Sequence, residues 1–198
     1  FVTKFGNVRR NKVSDFINIK ANGKRAMKLD NNDKLIQVLL VGNEKDIILS
    51  TSKGKCVRFS TDDVRVFSGR TSMGVRGIKL QNNDRIISAS VLNSIDINTD
   101  EREEYLKYSS ATRRKEKRKV SIEKNRLNSI QDKEEFLLSV TENGFGKRSS
   151  SYEYRKTRRG GQGILNIETS ERNGGVVASF PVVEDEEVML VTNKGKLI

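Results

Sequence analysis

T-S-K-G-K-C-V-R, Thr51 to Arg58, places a threonine, a glycine and an arginine at positions one, four and eight. The same spacing occurs at Thr3, Gly6 and Arg10, and again at Thr141, Gly144 and Arg148; Thr192 and Gly195 begin a fourth copy. A second block accompanies the first. G-K-R-A-M-K-L-D-N-N-D-K-L-I, from Gly23, matches G-V-R-G-I-K-L-Q-N-N-D-R-I-I, from Gly74, and a weaker copy, G-I-L-N-I, starts at Gly163. Two blocks recurring in one order mark structural repeats.

The threonines of the first two copies lie 48 residues apart and those of the last two 51, but 90 separate Thr51 from Thr141. The excess places an insertion at about residues 93–135. Each repeat reads as four short strands; in the second they fall at about 47–51, 55–60, 75–80 and 85–92. Ser52-Lys53-Gly54 and Asn82-Asn83-Asp84 supply turns, and the Val, Ile and Phe content suits half-buried pleated strands. A unit of about 50 residues with four strands has the size of a propeller blade, which stacks on its neighbours to bury its faces. The expected organisation is all-β: blades at 1–46, 47–92 and 136–187, a charged, partly helical insertion at 93–135, and the start of a further blade at 188–198.

The insertion offers Asn98 or Thr99 as a helix cap, followed by Asp100, Glu101, Glu103 and Glu104 near the positive helix end. Its basic run, Arg113 to Lys119, looks like a nucleic-acid contact. Yet residues 93–135 hold eleven Lys and Arg against ten Asp and Glu, so +11 of the chain's +12 net charge lies on the blades. The insertion reads as a mostly solvated loop whose removal (residues 95–132) leaves DNA binding largely intact.

A net charge of +12 and a pI near 9.9 point to a polyanionic partner. No apolar run reaches the ~18–20 residues of a bilayer crossing and no signal-peptide pattern opens the chain, which implies a soluble cytosolic protein without a membrane partner. With no histidine and the single cysteine Cys56, Ser-His and Cys-His catalysis, disulfides and the common zinc sites are excluded. Cys56 reads as a small buried residue, and Tyr105 as an ordinary helix tyrosine without a basic cluster to activate it.

The candidate DNA contacts are Lys28 and Lys79, which alternate with core positions and so face solvent, and Arg70 and Arg76 beside Gly69 and Gly74. Lys147 follows the third turn. T-R-R-G-G-Q-G, residues 157–163, packs Arg158 and Arg159 beside Gly160, Gly161 and Gly163. Arginine forks suit phosphate, and the glycines let a backbone pass close, so each arginine is expected to neutralise one phosphate. Arg10, Arg58 and Arg148 read equally well as anchors inside the blades or as DNA ligands.

T-x-N-G-[FY]-G-K-R at Thr141 to Arg148, S-S-Y-E-Y-R, R-G-G-Q-G-I, E-R-N-G-G-V-V-A-S-F-P-V and S-M-G-V-R-G-I-K-L at Ser72 to Leu80 resemble the C-terminal domain of bacterial DNA gyrase A. The resemblance covers the blades, about four-fifths of the chain. The charged insertion is similar to that of alphaproteobacterial gyrases. What the resemblance implies is a β-pinwheel with strands exchanged between blades, whose basic rim wraps double-stranded DNA so that the holoenzyme, a type IIA DNA topoisomerase, introduces negative supercoils. It further implies assembly as A2B2 with gyrase B and a second copy of gyrase A, ATP and Mg2+ in the holoenzyme but no cofactor in this chain, and a cytoplasmic, chromosome-associated location. By that comparison the chain is a non-catalytic fragment running from about the third blade into the sixth. The family's Q-R-R-G-G-x-G box belongs to its first blade; residues 157–163 match it with Thr157 in place of Gln, in a later blade, as a secondary contact. The related C-terminal domain of topoisomerase IV is the nearest alternative, and a propeller that serves as a protein-interaction platform is the alternative of another class.

Overall fold

The turn that repeats in the sequence is built alike in three of its four copies. In the computed structural model, which describes residues 1–183 and 186–197, the Gly54 N–H donates to Thr51 O and the Lys55 N–H to Thr51 Oγ1, at 3.1 and 3.2 Å. Gly6 and Asn7 bond to Thr3 in the same way (3.0 and 3.2 Å), as do Gly195 and Lys196 to Thr192 (2.9 and 3.0 Å). At Thr141 the Gly144 N–H donates to Thr141 O (3.0 Å), but the buried hydroxyl bonds to no described residue. Gly54 has φ +77°, and a Cβ there would sit 2.0 Å from the Ile167 carbonyl oxygen of the next repeat. Glycine is therefore required both by the turn and by the neighbour. The Asn-Asn-Asp turns close over these corners. Asn32 and Asn83 take the left-handed conformation, which asparagine tolerates, and Asp84 Oδ1 accepts from the N–H groups of Lys53 and Arg85. Asp33 Oδ1 does the same for Phe5 and Lys34.

Strands β1 (Val2–Thr3), β2 (Asn7–Val8), β3 (Leu35–Gln37), β4 (Lys45–Thr51), β5 (Lys55–Ser60), β6 (Val75–Arg76) and β7 (Ile86–Asn93) precede two helices, α1 (Thr99–Arg113) and α2 (Lys124–Asp132). Strands β8 (Phe136–Thr141), β9 (Gly146–Ser150), β10 (Ile164–Leu165) and β11 (Val176–Val182) follow. They form three antiparallel sheets, ordered β3-β1-β2-β6, β10-β5-β4-β7 and β11-β8-β9. The order shows the exchange of strands and its direction: the outer strand of each complete sheet comes from the following repeat. β6 pairs with β2 through Asn7↔Arg76, and β10 pairs with β5 through Ile164↔Cys56. Sequence repeats and sheets are therefore offset, and residues 75–76 and 164–165 belong to the sheets of the repeats before them. The expected third strand of the second repeat, 75–80, is cut to two residues because the chain leaves the sheet at Gly77. Residues 184, 185 and 198, inside the expected segments 136–187 and 188–198, lie outside the described residues.

Alternation along β4 sends side chains to two cores. Ile47 and Leu49 join Val2, Val8, Phe59 and Ile78 between the first two repeats, while Ile48 joins Cys56, Leu92, Leu137 and Tyr154 between the second and third. Each fully buried Leu, Ile or Phe contributes roughly 1.5–3 kcal/mol. A buried polar chain runs beside the second core: Tyr154 Oη donates to Asn166 Oδ1 (2.6 Å), Asn166 Nδ2 to Ser139 Oγ (2.8 Å), and Ser139 Oγ meets Ser179 Oγ (2.9 Å).

The insertion differs from a solvated loop. Asn98 caps α1 by accepting the Glu101 N–H at 2.9 Å, and α1 and α2 enclose a core of Ile95, Tyr105, Leu127 and Ile130 around Tyr152 of the third repeat. Tyr152 Oη donates to Ile130 O at 2.8 Å, and its ring meets that of Tyr105 edge-on, 5.5 Å between centroids. Tyr105 Oη donates to Glu134 Oε2 at 2.7 Å, and burial together with that carboxylate pushes its pKa up. No helix among the described residues is long and apolar enough to cross a membrane.

Candidate nucleic-acid interface

Each junction between repeats carries a basic loop laid over the preceding repeat by main-chain bonds. Loop 68–74 is held where the Lys28 N–H donates to Ser72 O (3.2 Å), and loop 157–163 where the Lys79 N–H donates to Gly161 O (2.8 Å). The Phe67 and Thr157 N–H groups, at the start of these stretches, donate to Arg10 O and Arg58 O, both at 2.8 Å. Lys28 and Lys79 thus share one place in the two junctions, each beside the loop of the next repeat.

The glycines divide by role. Gly74 (φ +93°) and Gly163 (φ +74°) start the donated strands, and a Cβ on either would fall 2.3 Å from Val8 O or 2.5 Å from Cys56 O. These two serve sheet exchange. The Gly160 N–H donates to Gly77 O. Around Gly161 the space is open, as it is around Gly69 in the other loop: a Cβ placed at either would meet nothing within 4 Å.

The cations divide as well. Lys28, Arg76, Lys79 and Arg158 border the loops with Arg70, and the side chains of all five make no hydrogen bond or ion pair with described residues. Lys28, Arg76, Lys79 and Arg158 are exposed, whereas Arg70 is half-buried. Arg159 is committed: its Nε donates to Asp63 O (2.8 Å) and its Nη1 to Arg76 O (3.1 Å), fastening the loop to the second repeat. Lys147 is exposed but its Nζ reaches Glu153 Oε2 (3.3 Å) and Asn166 O (3.2 Å).

Of the repeat arginines, Arg58 is an anchor. It is buried, pairs through Nε with Asp46 Oδ2 at 2.9 Å, and donates to Ser151 O and Asn93 O, tying β5 to the third repeat and to the base of the insertion. Arg148 occupies the corresponding place in the third sheet and stacks on the ring of Phe136, with 4.5 Å to its centroid. Arg10 meets Asp62 at 3.2 Å. Sequence reading missed Arg9, a second buried anchor. It donates to Ser72 O at 2.7 Å and to Gly69 O, and lies over Phe67. Its one signal was the doublet Arg9-Arg10.

Cys56 is fully buried, and desolvation pushes its thiol up to about 12. Among the described residues no group of three or more His, Cys, Asp or Glu comes together to hold a metal ion. The arrangement can bind a polyanion through spaced cations on a stiff frame.

A family model described as the DNA gyrase C-terminal domain, beta-propeller, matches residues 1–41, 45–93 and 135–182, passing over the insertion. The chain belongs to this family. DNA gyrase A of Granulibacter bethesdensis is 45% identical over 221 residues, and that of Rickettsia bellii 44% over 207; both alignments span all of this chain but 24% and 23% of the relative. The chain thus spans about a quarter of the length of these curated relatives. In fold it resembles a solved DNA gyrase A C-terminal domain (TM-score 0.69, 24% identity, all of this chain and 53% of that one). It equally resembles the C-terminal domain of DNA topoisomerase IV (TM-score 0.74, 18% identity, all of this chain and 50% of that one).

Proposed function

We propose that this chain binds and wraps double-stranded DNA as part of a DNA gyrase A protein, supporting ATP-dependent negative supercoiling by an A2B2 assembly. The observation that carries the reading is the repetition of one unit: Lys28 with loop 68–74, then Lys79 with loop 157–163, each bearing uncommitted cations. Charges repeated at the blade pitch along a stiff frame hold phosphates without reading bases. They favour a path on which DNA bends. Membership of the gyrase C-terminal family and the +11 charge on the blades support it. Topoisomerase IV is the second reading, favoured by the equal likeness in fold.

ATP and Mg2+ enter this proposal through gyrase B. Lys53-Gly54-Lys55 is a turn whose glycine is pressed against Ile167 O, and among the described residues no group of three or more His, Cys, Asp or Glu comes together. A cytoplasmic, chromosome-associated location follows from the same reading.

The test is topological. A nicked or relaxable plasmid is closed in the presence of the intact polypeptide, and the topoisomers are then separated. Wrapping with positive handedness leaves positively supercoiled products in proportion to protein; an unshifted distribution, with DNA bound, would refute wrapping.

A further inference from the structure

The seam between the insertion and the third repeat holds a groove of about 280 Å3, apart from the loops above. Ile95, Asp96, Thr99 and Arg102 line one side of it; Arg155 and Lys156, on the stretch that leads into loop 157–163, line the other. Four cations border it, because Arg58 also contributes. Arg58 is taken by Asp46, and Lys156 reaches Ser94 Oγ at 3.1 Å and Asp46 Oδ1 at 3.7 Å.

Arg102 and Arg155 are not so engaged. The Arg102 side chain is 19% exposed, its one carboxylate contact is Glu103 at 4.0 Å, and its Nε is buried without an acceptor. A buried guanidinium N–H in a native protein normally has a partner. Arg155 is exposed, and its side chain bonds to no described residue. Thr99 adds a hydroxyl at the first position of α1, where the helix dipole is positive. Asp96 is the one acid in the lining.

We propose that Arg102 and Arg155, with Thr99, bind one phosphate group, and that this phosphate belongs to a duplex passing from loop 157–163 onto the insertion. Two guanidinium forks and a hydroxyl match the several acceptor oxygens of a phosphate. Arg155 stands three residues before Arg158, a span of at most ~11 Å of extended chain, so one strand can meet both. The identity of the polyanion rests on the DNA reading above; the anion site itself does not. Free phosphate offers the same chemistry, and the test separates the two.

The intact polypeptide is compared with Arg102→Gln/Arg155→Gln, with Arg155→Gln alone, and with Arg158→Ala. The double variant lowers the slope of log K against log[salt] for duplex binding by about 0.9, the share of the one phosphate that the pair holds, and Arg155→Gln lowers it by part of that. Inorganic phosphate, titrated without DNA, raises the melting temperature of the parent and not of the double variant. Loss of that stabilisation with an unchanged slope assigns the site to free anions and overturns the duplex contact. No change in either measurement overturns the site. If Arg158→Ala lowers the slope and the seam variants do not, the seam proposal alone fails; if none of them does, the DNA reading fails with it. Should Arg102→Gln prevent folding, the exposed Arg155 decides the matter by itself.

Discussion

Arg158 and Arg159 are neighbours with the same chemistry, yet Arg159 donates to Asp63 O and Arg76 O while the Arg158 side chain is uncommitted. Arg158→Ala should therefore lower the salt slope of DNA binding by about 0.9 and leave the melting temperature unchanged. Arg159→Ala should cost about 1–2 kcal/mol of stability, because two carbonyls lose a charged donor; thermal unfolding checks both. The sequence showed two equal arginines, and their difference arises from contacts 83 and 96 residues away. Cys56 gives a pH-dependent prediction. Its thiol titrates at about 12 in the fold against 9.0 unfolded. The stabilisation from the protonated, buried thiol is fully present below about pH 9 and is lost as the pH rises toward 12, because the unfolded chain ionises first. A thiol reagent should leave Cys56 unmodified in the native chain at pH 8 and react once denaturant is added.

The Thr-x-x-Gly corner was legible at the scale of elements because a threonine hydroxyl, a left-handed glycine and an Asn-Asn-Asp turn fix it locally. The insertion was not. The charged surface of α1 dominates its sequence, and the residue that organises its core, Tyr152, belongs to the third repeat. Counting charge treated this segment as solvated, whereas Tyr105 and Ile130 are about as buried as the blade cores. Removing residues 95–132 would uncover Tyr152 and delete its Ile130 acceptor, so such a deletion weakens the third repeat whatever it does to DNA. Tyr152→Phe isolates the bond: it should destabilise by about 1 kcal/mol. Tyr152→Ala should cost about 3–5 kcal/mol and reduce the helical circular dichroism of the insertion before the sheets unfold.

Across the whole molecule, the repeats announced a blade-like unit of antiparallel strands and the break in its pitch. They could not show that β6 and β10 complete the sheets of the repeats before them, because a strand of two residues carries too little pattern to reveal its partner. That exchange matters for function: it presses Gly74 and Gly163 onto the preceding repeat and leaves Lys28, Arg70, Arg76, Lys79 and Arg158 uncommitted beside the two loops. Five such cations, each holding one phosphate, give a slope of log K against log[salt] of about −4.5, or steeper where further contacts join. The deciding measurement is a salt titration of the intact polypeptide on two duplexes of equal length and unrelated sequence. Equal affinities and a common slope of at least that steepness are predicted; a shallow slope, or affinity that depends on sequence at every salt concentration, would contradict a rim that grips the DNA backbone.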